Sequence, residues 1–205
     1  MNKAYAYTAG GLVLAMLGGL ATFVFMSTRE DQFASCSEST VAGGAAIGGP
    51  FELVDETGRT VTDRDVIDRP SLIYFGYTYC PDVCPVDISR NAEAVELLEE
   101  QGYDVKPIFI SIDPERDTPE ILAEFTDILH PDMLGLTGSP EQVKVASQAY
   151  KTFYRKNEGA PDEYLVDHST FTYLVAPETG FLEFFRNDIS AEKMASTVAC
   201  FMDQM

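Results

Sequence analysis

Positive charge is scarce in this chain of 205 residues: 14 lysine and arginine residues stand against 33 aspartate and glutamate residues, a formal net charge of −19 at pH 7. Nucleic-acid binding needs clusters of lysine and arginine, so the composition argues against a nucleic-acid partner. Histidine is rarer still, with two residues, and there are four cysteines. The length is too short for two ordinary domains, so we expect one folded domain with an extension.

Charge is absent altogether between Ala4 and Met26. As a helix, this apolar run would span roughly 34 Å, which is enough to cross a bilayer. A cleaved signal peptide and a lipoprotein signal ending at Cys36 are the alternatives. The run is longer than a usual signal core, however, and charged residues separate it from Cys36. We predict a short tail at residues 1–3, then a retained transmembrane anchor at residues 4–26. The rest of the chain is expected on the periplasmic side of a bacterial inner membrane.

The remainder divides into a tether and a domain. Small residues dominate the stretch before Gly48, which predicts a flexible tether at residues 27–47 and a folded domain at residues 48–205. In the domain, the segments FELVDETGRTVTD, SLIYFGY and VKPIFISID have strand patterns, and helical patterns follow the last two. The segment FTYLVAPETGFLEFF has the form of a late hairpin, with a final helix from about Ser190. This order predicts an α/β fold of the thioredoxin type, a central mixed sheet flanked by helices.

Two helix starts are marked in the sequence. Thr118 is a suitable cap, and Pro119 after it fits the first helical position. Ser139 is the second expected cap, ahead of the segment PEQVKVASQAYKTFY, which we predict to be helical as far as Tyr154.

The stretch FGYTYCPDVCP places Cys80 just after a buried strand and Cys84 in the first turn of the next helix. Thiols there meet backbone N–H groups and the positive end of the helix dipole, so we expect their pKa values to be lowered. Three uses remain open: a structural bridge, a redox couple, or two ligands for a metal ion. A bridge here would close a very short loop and so gain little stability, which disfavours the first.

His168 could complete a metal site with these thiols. It lies in VDHST, directly ahead of the late hairpin that should pair with the central strands. Two thiolates and one imidazole suit Cu(I), or Cu(II) with an additional ligand, whereas structural zinc would want four ligands. The other histidine, His130, follows a helix and is expected to cap it or to lie on the surface.

Three motifs together resemble a known family. YFGYTYCPDVCP, then SIDPERDTPE from Ser111 to Glu120, then DHSTFTYLVAPETG from Asp167 to Gly180 are similar to signatures of the Sco (SenC-type) copper chaperones for cytochrome c oxidase. The resemblance implies a membrane-tethered thioredoxin fold that binds copper through Cys80, Cys84 and His168. It also implies delivery to the dinuclear copper site of oxidase subunit II, and exchange with other copper-carrying assembly factors.

Other residues of the chain extend or depart from that pattern. Asp113 is carried over as an accessory residue near the site, although an aspartate at a strand end could equally cap the turn that follows. Family members often have a polar residue where this chain has Tyr79. Cys36 and Cys200 are additional to the three ligands, and they could form a structural disulfide, remain free, or link two chains.

The sequence therefore favours a copper carrier over an enzyme. The alternative is a thiol–disulfide oxidoreductase in which Cys80 and Cys84 form the redox pair and keep the copper-ligand cysteines of the oxidase subunit reduced. Such a reductase would not need His168. A thiol peroxidase would need an arginine beside one activated thiolate, and no such arginine can be placed from the sequence.

Overall fold

The computed structural model describes Met16 and residues 33–37, 39, 46–160 and 163–205. The chain divides into two compact units, Met1–Ser35 and Cys36–Met205, and nearly all described residues belong to the second. The predicted anchor at residues 4–26 lies outside the described residues, apart from Met16. Among the residues that are described, no helix is long and apolar enough to span a membrane.

Strands and helices alternate along the folded unit. Its first half consists of β1 (Glu52–Asp55), β2 (Thr60–Thr62), α1 (Asp63–Val66), β3 (Ser71–Gly76), α2 (Val83–Glu100), β4 (Lys106–Ser111) and α3 (Pro119–Leu129). Its second half consists of β5 (Leu134–Thr137), α4 (Pro140–Ala149), β6 (Tyr154–Lys156), β7 (Val166–His168), β8 (Thr172–Ala176), β9 (Gly180–Phe185) and α5 (Ala191–Asp203).

A seven-stranded sheet forms the centre, in the order β2-β1-β5-β4-β3-β8-β9. Strands β3, β4 and β5 run parallel, whereas β1, β8 and β9 pair antiparallel with their neighbours. Strands β6 and β7 form a separate antiparallel hairpin in which Tyr154 pairs with His168. The predicted thioredoxin-like architecture, a mixed sheet flanked by helices, is confirmed.

Strands β3 and β4, at the centre of the sheet, contribute many residues to the hydrophobic core. All six residues of β3 are buried, and so are five of the six in β4, as expected of apolar strands in the middle of a parallel region. The same buried cluster includes Cys80 and Cys84. The two thiols therefore lie in the hydrophobic interior, at the carboxyl end of β3.

Both predicted helix starts are confirmed, but one predicted helix end is wrong. The hydroxyls of Thr118 and Ser139 accept hydrogen bonds from backbone N–H groups in the first turns of α3 and α4. Helix α4 ends at Ala149, not Tyr154, and Lys151 adopts a positive φ of 55°. Tyr154 instead begins β6, because pairing with the strand of His168 outweighs local helix preference.

A disulfide joins Cys36 to Cys200 in α5, across a sequence separation of 164 residues. The hydroxyls of Ser37 and Ser39 donate hydrogen bonds to the carboxylate of Glu183, a buried residue of β9. These three tether residues are thus held against the last strand and the last helix.

Candidate metal centre

The two cysteines are placed by the turn between β3 and α2. A hydrogen bond of 3.2 Å from Cys80 N to the Tyr77 carbonyl oxygen closes a turn, and α2 then begins at Val83. Cys84 lies in the first helical turn, as predicted, and its N–H donates to the Cys80 sulfur at 3.4 Å. Both cysteines are free thiols; Cys84 is fully buried, and 7% of the Cys80 surface is exposed.

His168 lies beside Cys84. Its Nε2 is 3.2 Å from the Cys84 sulfur, and its Nδ1 is 3.2 Å from the carbonyl oxygen of Val166. Because a carbonyl oxygen can only accept a hydrogen bond, Nδ1 carries the proton and Nε2 presents a lone pair to the thiol. Burial lowers the pKa of His168, which favours this neutral form. The imidazole is thus oriented as a metal ligand requires.

The three predicted ligands lie near one another, but they do not all make the same contacts. Cys84 and His168 are in direct contact, whereas the Cys80 thiol interacts with the N–H and the thiol of Cys84 and with the side chain of Tyr77. Within the described part of the chain, no three cysteine, histidine or acidic side chains are already arranged to hold a metal ion. A three-ligand site therefore requires the three side chains to come closer together when the metal binds.

The expectation of a lowered pKa is wrong for Cys84. Burial raises the pKa of its thiol well above the usual value, although hydrogen bonding from the Tyr77 backbone opposes the shift. The helix start supplies a favourable field, but the surrounding apolar core penalises the thiolate more strongly. In the metal-free protein, Cys84 stays a thiol, and its sulfur lies beside the Nε2 lone pair of His168.

The buried hydroxyl of Tyr74 lies next to the predicted ligand His168. The Tyr74 hydroxyl lies 3.5 Å from His168 Nε2 and donates its hydrogen to the Asp87 carboxylate at 3.0 Å. Asp87 is held in turn by Arg90 at 2.8 Å. Burial, with the nearby Cys84 and Asp87, raises the pKa of Tyr74 far above its usual value, so this hydroxyl stays protonated. Its only proton is used by Asp87, which leaves the Nε2 lone pair of His168 free.

Residues of the SIDPERDTPE motif hold the cysteine loop, residues 77–84, in place. Asp117 is buried and accepts hydrogen bonds from Thr78 N at 3.1 Å, Thr78 Oγ1 at 2.6 Å and Ser111 Oγ at 2.6 Å. Asp113 accepts from the Tyr164 hydroxyl at 2.5 Å and from Arg116 Nε at 2.6 Å. Asp113 thus does more than cap a turn, because it connects the motif to the chain ahead of β7.

Sequence reasoning missed several of these residues. Tyr74, Asp87, Arg116 and Asp117 all lie inside or beside the motifs already quoted, so the motifs were the available signal. Of the two expectations for His130, capping is the one confirmed: it is the C-cap of α3 and is buried, with Nδ1 accepting from Asp132 N at 3.2 Å. Tyr79, by contrast, is half exposed.

Known proteins match both the sequence and the fold. A family model described as SCO1/SenC matches residues 39–203. Protein SenC of Rhodobacter capsulatus is 52% identical over 205 residues, which are 100% of this chain and 92% of that relative. The crystal structure of Arabidopsis thaliana ScoI with copper bound gives a TM-score of 0.75 at 40% identity, covering 78% of this chain and 100% of the other. Yeast Sco1 with copper bound gives a TM-score of 0.73 at 33% identity, covering 78% and 91% respectively.

Proposed function

Because the chain belongs to the SCO1/SenC family, we propose that it carries copper as cargo and delivers it during assembly of cytochrome c oxidase. The observation that carries this proposal is the contact between the Cys84 thiol and the unprotonated Nε2 of His168, with Cys80 alongside. Relatives from Arabidopsis and yeast hold copper. The Sco family consists of cytochrome c oxidase assembly proteins.

The donor set fits copper as the cargo. Two sulfur atoms and one imidazole nitrogen form a soft ligand set of low coordination number, which Cu(I) prefers. His168 would supply Nε2 with no loss of a proton, whereas each cysteine must lose its thiol proton to bind. Cys80 is the less buried of the two cysteines, so we assign to it the first exchange with the sulfur ligands of a recipient.

The proposed recipient is the dinuclear copper site of oxidase subunit II, and other copper-carrying assembly factors are the proposed donors. We place the folded domain on the periplasmic side of the inner membrane, attached by residues 4–26. The uncharged run between Ala4 and Met26 supports an anchor. The disulfide between Cys36 and Cys200 fits an oxidising compartment.

The second candidate function is reduction of the recipient's cysteines. It is favoured by the free thiols of Cys80 and Cys84, which interact at a strand-to-helix turn. Disulfide exchange by this pair would oxidise both thiols and transfer two electrons and two protons to the recipient's disulfide. His168 takes no part in this transfer of electrons and protons, so the effect of replacing His168 distinguishes the two functions.

Mixing experiments would distinguish delivery from reduction. We expect the Cu(I)-loaded protein, mixed without oxygen with the copper-free soluble domain of subunit II in its reduced form, to lose copper to that domain. Metal analysis of the separated proteins measures the transfer. The control uses copper-free protein with the oxidised subunit domain, and thiol labelling then measures any reduction. Reduction without copper transfer would overturn the carrier function in favour of the reductase.

Gly76 provides a test of how tightly the site is packed. A methyl group at this position would lie 2.8 Å from Tyr74 Cε1, 2.9 Å from Phe109 Cε2 and 3.1 Å from the Cys84 sulfur. We therefore expect Gly76→Ala to lower the free energy of unfolding by about 1–3 kcal/mol and to weaken Cu(I) binding, because the Cys84 sulfur must shift. Chemical denaturation and competition with a Cu(I) chelator measure the two effects.

The matched control for this substitution is Gly135→Ala in β5. A methyl group there would lie 3.0 Å from Leu122 Cβ and 3.0 Å from Glu56 Oε2, so it is also crowded, but by residues that belong to no proposed ligand contact. Gly135→Ala should lower stability and leave copper affinity unchanged. Equal losses of copper affinity in both variants would show that packing at Gly76 has no specific effect on Cys84.

A further inference from the structure

The candidate site combines two segments that are distant in sequence. One is the cysteine loop, residues 77–84, and the other is the β6–β7 hairpin that ends in His168. The Tyr77 hydroxyl accepts a hydrogen bond of 3.3 Å from Val166 N, which is a direct link between them. Copper binding by both segments requires that their separation be fixed to within a fraction of an ångström.

The side chain of Arg116 contacts both segments. On the side of the cysteine loop, its guanidinium carbon lies 4.7 Å from the ring centroid of Tyr79 and 5.7 Å from that of Tyr77. On the side of the hairpin, it lies 3.7 Å from the ring centroid of Tyr164. Tyr79 directly precedes Cys80, and Tyr164 lies two residues before Val166, where β7 begins. One cation thus interacts with aromatic rings from both segments.

Asp113 fixes Arg116 in this position. One oxygen of its carboxylate accepts from Arg116 Nε at 2.6 Å and the other from the Tyr164 hydroxyl at 2.5 Å. The side chain of Arg116 is 9% exposed, and that of Asp113 is 4% exposed. Burial disfavours the charge on Arg116, but the hydrogen bond and charge of Asp113 outweigh it and raise the pKa of the guanidinium. The cation is therefore permanent.

The contacts of Arg116 depend on the flat guanidinium group. Its Nη2 is buried and has no hydrogen-bond partner among the residues that the structure describes. The guanidinium thus interacts with the tyrosines by cation–π contact with their rings, and not by hydrogen bonds to them. Lysine has a compact ammonium in place of the guanidinium, so it cannot bond Asp113 as Nε does and also place a planar cation against the rings, and Arg116→Lys would not be conservative.

We propose that Arg116 is a positioning residue that joins the cysteine loop to the hairpin and so keeps Nε2 of His168 facing the thiols. Arg116 does not touch the cargo. It acts through Tyr79 on the position of Cys80, and through Tyr164 on the position of the strand that bears His168. The effect on copper rests on the proposed function, whereas the effect on His168 is a property of the metal-free protein.

The first test needs no copper. Ring ¹⁵N spectra of histidine report which nitrogen carries the proton. In the wild type we expect a neutral His168 with the proton on Nδ1 and an Nε2 resonance shifted by its contact with Cys84; in Arg116→Gln we expect the Nε2 resonance to move because that contact loosens, while Nδ1 stays bonded to Val166. Arg155→Gln is the matched control, because Arg155 is an exposed arginine of the same hairpin that pairs with Asp167. An Nε2 resonance of His168 that is unchanged in Arg116→Gln would overturn the proposal.

The second test is a double-mutant cycle of Cu(I) affinity between Arg116→Gln and His168→Ala. We expect Arg116→Gln alone to lower the affinity by about tenfold or more, as is usual for residues that orient metal ligands. In the His168→Ala background the same change should have a smaller effect, because the contribution through His168 is absent and only the contribution through Tyr79 and Cys80 remains. Equal losses in both backgrounds would overturn the proposal.

Two further results distinguish a failure to fold, or a failure of the proposed function, from a failure of the proposal for Arg116. Arg116→Lys keeps a positive charge beside Asp113, so it serves if Arg116→Gln does not fold, and it should also shift the Nε2 resonance of His168. If the wild type fails to bind Cu(I), the proposed function is wrong, but the ¹⁵N spectra still decide whether Arg116 positions His168.

Discussion

Replacing His168 with alanine is expected to lower the Cu(I) affinity of the reduced protein by more than about a hundredfold. Loss of a residue that only orients a ligand costs 10–100-fold, and loss of the ligand itself should exceed that range. The variant would retain Cys80 and Cys84 and could bind copper only through two sulfurs. Its thiol–disulfide exchange should be nearly unchanged, because Nε2 of His168 contacts Cys84 but takes no part in the electron balance. Competition with a Cu(I) chelator under anaerobic conditions measures the affinity.

His130→Ala is the matched control for that experiment. His130 is the other histidine of the chain, and it is buried beside Asp132 and Glu99, where it caps α3. Its loss should reduce stability and leave copper affinity unchanged. A His168→Ala variant that binds copper as tightly as the wild type would contradict the three-ligand site. If it also exchanged disulfides readily, the reductase would become the better description.

Removal of the Cys36–Cys200 disulfide is expected to cause the largest loss of stability. The bond spans 164 residues, and in the chain-entropy model a loop of this length stabilises the folded state by about 5 kcal/mol, although engineered and natural cases usually give about 2–4. Domains of this size are stable by only about 5–15 kcal/mol, so the loss is a large share of the total. We expect Cys36→Ser with Cys200→Ser to lower the Tm by roughly 5 to 15 °C.

Calorimetry of the wild type with and without reductant measures this effect. The double serine variant controls for any effect of the reductant other than cleavage of this disulfide, and Ser37→Ala reports the share that comes from the hydrogen bond to Glu183. Copper affinity should be unchanged, because neither Cys36 nor Cys200 contacts the residues around His168 in any described interaction. A double variant as stable as the oxidised wild type would contradict a structural role for this bond.

Much of the fold followed from local patterns in the sequence. The apolar run at Ser71–Gly76 predicted a buried strand, because a central parallel strand has no polar face. Thr118 and Ser139 predicted helix starts, since their hydroxyls replace the missing partners of the first N–H groups. These features depend on a few neighbouring residues, and that is why they could be predicted without the tertiary structure.

Other features depended on contacts between distant segments. Helix α4 stops early because Tyr154 pairs with His168 in a hairpin that local preference does not reveal. The pKa of Cys84 rises because β3 and β4 bury it, while the sequence showed only the helix start. Arg116 could not be assigned a role until the structure placed Tyr79 and Tyr164 around it.

X-ray absorption spectroscopy at the copper edge of the Cu(I)-loaded protein tests the central claim most directly. The sample should contain one copper per chain, with Cys80 and Cys84 in the reduced form. The Cys36–Cys200 bond should be intact, so that no other cysteine can bind copper. We predict a first shell of two sulfur atoms and one nitrogen, with the outer-shell scattering typical of an imidazole that disappears in His168→Ala. A first shell of two sulfurs alone in the wild type, identical to that of His168→Ala, would contradict a site formed by Cys80, Cys84 and His168.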